Sequence, residues 1–162
     1  MTKIRQAVAI IIAALFIGFA ANTIAGNYSD TAPANTAKPI EITVYKSPTC
    51  GCCTDWVKHL RSEGFTVITV DRQNMDPIKR SAGIPGNLQS CHTALVEGYA
   101  VEGHVPAADI KALLKTRPNI AGLTAPGMPM KSPGMQAANL PPKGYDVLAF
   151  SKNGKTSIFT KY

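Results

Sequence analysis

Three cysteines fall within four residues, Cys50-Gly51-Cys52-Cys53, and a fourth, Cys91, stands far downstream. Sulfur at this density has three chemical uses. Two structural disulfides would allow three pairings, but a C-x-C step and adjacent cysteines close tight, strained rings that staple a fold poorly. Cys50 and Cys53 form a C-x-x-C pair suited to thiol–disulfide exchange, with Cys52 or Cys91 as a resolving thiol. Four thiolates converging on one place would instead favour a soft metal, Cu(I) first and zinc second. Thiolates that bridge would let such a pocket hold more than one Cu(I).

Other candidate donors are weaker. Met128, Met130 and Met135 lie among glycines and prolines rather than on a periodic element, where core methionines usually fill gaps. They read equally as thioether ligands or a sulfur-rich lid, and as residues that pack the loop down. His59 falls off the apolar stripe of its segment and reads as solvated helix surface. His92 follows Cys91 and, by strand alternation, points to the opposite face. His104 reads as a hydrogen-bonded residue at a helix entrance or an accessory partner of the cysteines. No H-x-x-H or H-E-x-x-H spacing, serine triad or phosphate-cradling glycine loop is present.

The surrounding pattern says how the cysteines are positioned. Ile40, Ile42 and Val44 alternate with polar neighbours, the period of a half-buried strand. Trp56, Val57 and Leu60 fall at i+3, i+4 and i+7 from Cys53, one stripe of a helix ended by Gly64. Residues 65–70 are rich in β-branched and aromatic side chains and predict a second strand, parallel to the first in a βαβ unit. The cysteine cluster then sits at the start of the helix, where free N–H groups and the helix dipole favour thiolate. Further on, Asn74 predicts the cap of a short helix reaching Ala82. A hairpin follows, with strands at residues 91–96 and 99–101 about Glu97-Gly98. A helix opens near Pro106 with Ile110, Leu113 and Leu114 buried. Residues 118–143 hold six prolines and predict a long structured loop, and residues 145–150 and 156–160 a terminal hairpin across Asn153-Gly154. The expected fold class is α/β: a thioredoxin-like βαβ core with a C-terminal loop and β-hairpin extension. In such a fold the segment entering the third strand passes the helix start. A proline usually stands there; this chain has Ser90-Cys91, with Pro85 six residues too early.

Lys3 and Arg5 precede a fourteen-residue uncharged run at residues 7–20, and Thr23-Ile24-Ala25 has the small-x-Ala form of a cleavage site. Residues 1–25 are therefore expected to be a signal peptide, or a membrane anchor if uncleaved, and residues 26–38 a flexible linker. That leaves a metal-binding domain over 39–162, in the periplasm. Without Lys3 and Arg5 the chain keeps fifteen basic against ten acidic residues, about +5. The basic residues are scattered, which argues against nucleic acid as a partner.

Several separated motifs resemble one family: Ser47-Pro48-Thr49-Cys50-Gly51-Cys52-Cys53 with Trp56, Ser90-Cys91-His92-Thr93-Ala94, and Val101-Glu102-Gly103-His104-Val105-Pro106. Pro126-Gly127-Met128-Pro129, Ser132-Pro133-Gly134-Met135 and Tyr145-Asp146-Val147 continue the pattern. The chain resembles, over roughly residues 40–150, the CopG-like family of periplasmic copper-resistance-associated metal-binding proteins, formerly a domain of unknown function. The resemblance implies a thioredoxin-like fold and a role in handling periplasmic copper, with other copper-handling proteins as expected partners. It also implies copper ligation by Cys50, Cys52, Cys53 and Cys91. Met128, Met130 and His104 carry over as accessory members of motifs, without an assigned role. Storage, delivery and redox turnover all remain open at this point.

Overall fold

In the computed structural model, which describes residues 38–162, strand β1 (Glu41–Lys46) buries Ile42 and Val44 on one side. The expected signal peptide and all but the last residue of the expected linker lie outside the described residues. Helix α1 (Gly51–Ser62) leads from β1 to β2 (Thr66–Asp71), and the two strands pair in parallel from Glu41 against Thr66 to Lys46 against Asp71. Helix α2 (Asp76–Ser81) opens with the Asp76 N–H donating to the Asn74 side chain at 2.9 Å, while Met75 takes the capping position itself. A single 3-10 turn, Gly86–Leu88, follows.

Strand β3 (Thr93–Val96) pairs antiparallel with β1, and β4 (Tyr99–Gly103) returns beside it. Their turn places Glu97 and Gly98 at φ of 45° and 87°, the left-handed conformations that a tight hairpin turn uses. Helix α3 (Ala107–Thr116) then carries the chain over to β5 (Gly122–Ala125), parallel to β4. The hairpin of β6 (Asp146–Phe150) and β7 (Thr156–Lys161) closes a seven-stranded sheet of order β2-β1-β3-β4-β5-β6-β7.

Trp56, Val57 and Leu60 of α1 share one core with Ile110 and Leu113 of α3, over Ile42, Val44, Ala94, Val101 and Leu123 of the sheet. Ile84, Leu88, Ala100 and Phe150 form a second, smaller cluster. Ala100 and Val101, adjacent on β4, fall in different clusters, as alternation on a strand requires. The architecture is α/β with a thioredoxin-like core, extended by a C-terminal loop and hairpin. Among the described residues no helix is long and apolar enough to cross a membrane.

One expectation needs correcting. Residues 118–143 are not loop throughout, because Gly122–Ala125 forms the buried strand β5. All four of its residues are buried, so it shows no alternation to read. Gly122 is also required there, since a Cβ would overlap the Ala100 carbonyl of β4.

The hairpin is tied to α3 through Asp109, whose carboxylate accepts from Thr160 Oγ1 at 2.6 Å and from the Tyr162 hydroxyl at 2.9 Å. Burial raises the Asp109 pKa above the usual carboxylate range, only partly offset by those two donors. A carboxyl with a raised folded-state pKa contributes stability that is full below its unfolded pKa and lost as pH rises through the folded one. The stability of the parent chain minus that of Asp109→Asn should therefore increase as pH falls from 7 towards 4, measured by urea unfolding. A difference that shrinks over that range would contradict this account of Asp109.

Candidate metal centre

The site begins with a helix cap. Cys50 precedes α1 in extended conformation, and its Sγ accepts the Cys53 N–H at 3.4 Å, the place a serine or aspartate often takes. Cys50 and Cys53, one turn apart with Cα atoms 5.3 Å from each other, are disulfide-bonded. Cys52 and Cys91 are free thiols, and Cys52 Sγ lies 3.6 Å from Cys50 Sγ. Cys91 comes from the segment before β3, and its sulfur and those of Cys50, Cys52 and Cys53 all lie within 4.8 Å of one another.

Two glycines permit that convergence. Gly103, at φ 72°, lets the Ser90–Cys91 segment approach β4; a Cβ there would come 2.5 Å from Ser90 Oγ. Gly134, at φ 85°, lets the downstream loop rest on α1, where a Cβ would come 2.7 Å from both the Cys52 carbonyl and the Trp56 N–H nitrogen. The same long loop is joined to the cysteine segment. Ser90 Oγ donates to the Gly127 carbonyl, and the Gly127 N–H donates to the Gln89 carbonyl at 3.2 Å.

Behind Cys91 stand two fully buried histidines. His92 Nδ1 is 3.3 Å from Cys91 Sγ and His104 Nε2 is 3.8 Å from it, so these three residues form a second group of potential ligands. The His92 ring packs between Trp56, with centroids 4.3 Å apart, and His104, at 4.9 Å. Burial holds His92 well below the usual imidazole range, with His104 and Lys79 adding in the same direction, and brings His104 down to about 4. Both are neutral at physiological pH, the ligand-competent form. His92 Nε2 and His104 Nδ1 have no hydrogen-bond partner among the described residues.

Burial also pushes the Cys91 thiol up to about 11, with Cys52 adding to the rise. A thiol held there is a poor nucleophile at neutral pH. A bound cation would supply the charge that lets it ionise, so the environment suits ligation better than exchange. The donor set is sulfur with neutral imidazole nitrogen, which fits a soft or borderline metal such as copper or zinc. No carboxylate joins either group among the described residues, and a hard cation would prefer one.

The placement of the remaining candidates differs from expectation. His92 does not point away from Cys91, because β3 starts only at Thr93 and strand alternation does not reach it. The Cys-His dipeptide ahead of the strand was the available signal. His59 is not merely solvated: its Nε2 accepts the Ala107 N–H at 3.2 Å and caps α3. Met128 and Met130 are 55% and 72% exposed, so neither is folded down as a buried lid.

The family described as a protein of unknown function, DUF411, matches residues 88–135, which include Cys91, His92, His104 and the methionine loop. No curated protein matches the chain. Two solved structures, of "Copper resistance protein copG" in Form 1 and Form 2, are each 40% identical to it. Each match covers 77% of this chain, and respectively 98% and 99% of the solved one, with a TM-score of 0.71. At that identity and coverage, the chain belongs to the family of the copper resistance protein CopG.

Proposed function

We propose that the protein binds Cu(I) in the periplasm as part of copper resistance, holding it through Cys50, Cys52, Cys53 and Cys91. The observation that carries this reading is the convergence of four sulfurs, from two distant segments, within 4.8 Å. Thiolates select Cu(I) over harder ions, and the name of the CopG structures supports copper over zinc as the cargo. With Cys50 at the cap of α1 and Cys52 and Cys53 in its first turn, bridging thiolates let the pocket hold more than one Cu(I). His92 and His104 are nitrogen donors suited to copper, and their place beside Cys91 extends the reading to Cu(I)/Cu(II) interconversion, with the single electron exchanged with an external one-electron redox partner. Met128 and Met130, exposed on the loop joined to Ser90, serve as accessory thioether contacts for incoming Cu(I). Residues 1–25 direct export, and other periplasmic copper-handling proteins exchange the metal.

The disulfide gates this function. A dithiol reductant must open Cys50–Cys53, becoming a disulfide itself and leaving two thiols, before all four sulfurs can bind metal. Denatured without reductant, the metal-free protein should show two titratable thiols per chain, and four after reduction. Four from the outset would contradict the gate. The same disulfide favours a second reading, a thiol–disulfide oxidoreductase using Cys50 and Cys53.

Cys91→Ser separates the two readings. In the reduced protein it should weaken Cu(I) binding by more than about 100-fold, beyond the 10–100-fold typical of groups that only support a ligand. Competition against a chromophoric Cu(I) chelator measures this. Its effect on disulfide exchange by Cys50 and Cys53 should be small. Unchanged copper affinity with lost reductase turnover would overturn the copper reading.

A further inference from the structure

The Cys91–His92 segment is neither helix nor strand, yet its sulfur must meet three others from a different element. Its two ends converge on one side chain. The Ser90 N–H, immediately before Cys91, donates to Glu102 Oε1 at 2.6 Å. The Thr93 hydroxyl, immediately after His92, donates to Glu102 Oε2 at 2.7 Å. Glu102 is fully buried on β4, directly across from Thr93. Lys79 of α2, also buried, makes an ion pair with the same carboxylate and donates to Thr93 Oγ1 at 3.2 Å. A fully buried ion pair is costly to desolvate and is often replaceable by apolar side chains, so stability alone explains it poorly.

We infer that Glu102 is a positioning residue for the metal centre, its carboxylate clamping both ends of the Cys91–His92 segment so that Cys91 faces the cysteines of α1. Lys79 supplies the opposite charge that keeps both carboxylate oxygens available as acceptors in the interior. A glutamine cannot replace it, because an amide offers one acceptor oxygen where the clamp uses two. The inference rests on the copper reading for its consequence, and on the hydrogen bonds alone for its geometry.

The experiment has a metal-free arm and a metal arm, using Glu102→Gln and the pair Lys79→Met with Glu102→Gln. The pair leaves no unpaired buried charge, so it keeps the test open if the single variant does not fold. In the oxidised protein, with the Cys50–Cys53 disulfide closed, alkylation at Cys52 and Cys91 is timed separately by peptide mass spectrometry. The clamp predicts that Cys91 reacts about tenfold faster in the variants, the scale of one lost buried hydrogen bond, while Cys52 is unchanged. In the reduced protein, Cu(I) affinity should fall about tenfold in the parent background and not at all in the Cys91→Ser background. An unchanged Cys91 rate in a folded variant overturns the inference, as does a rise shared equally with Cys52. A copper loss that persists without Cys91 also overturns it. If the parent protein fails to bind Cu(I), the proposed function falls while the alkylation arm still decides the clamp.

Discussion

The fully buried Trp56 joins every segment that builds the site. Its indole N–H donates to the Val105 carbonyl at 2.8 Å, fixing α1 against the β4–α3 connection. Its ring packs on His92, next to Cys91, and its backbone leaves room only for a glycine at position 134. It lies one turn beyond Cys52 and Cys53 on the same helix. A large aromatic with one polar handle suits this place, since the ring gains from burial while the N–H finds its acceptor in the Val105 carbonyl. Shrinking its side chain would remove two contacts together, the hydrogen bond to Val105 and the packing on His92.

The electrostatics of the pocket follow from the same burial. Desolvation keeps His92 and His104 neutral and keeps Cys91 a thiol, so the metal-free site carries little charge where charge would be costly. At the cap of α1 the Cys53 N–H donates to Cys50 sulfur at one end, and two imidazoles offer nitrogen at the other. A soft cation is the group whose arrival such an arrangement accommodates.

Much of this could be read before any coordinates. The alternation at Ile42 and Val44, the stripe of Trp56, Val57 and Leu60, and the β-branched run after Gly64 identify the βαβ unit, because each pattern is long and one-sided. The place of Cys91 follows from topology once that unit is recognised. What escaped reading was short or depended on distant partners. Strand β5 has four buried residues and no polar alternation inside a proline-rich stretch. The strand alternation that would turn His92 away from Cys91 begins only at Thr93, one residue later, and the capping role of His59 depends on α3, far along the chain. The Lys79–Glu102 pair has no sequence signature, as its members come from α2 and β4 and meet only in the folded interior.

If sulfur holds the metal, the first neighbours of bound copper are thiolates. X-ray absorption at the copper edge, on reduced protein loaded anaerobically with Cu(I), reads those first neighbours directly. The expected first shell is dominated by sulfur and loses sulfur in Cys91→Ser. A shell made only of nitrogen and oxygen would contradict it.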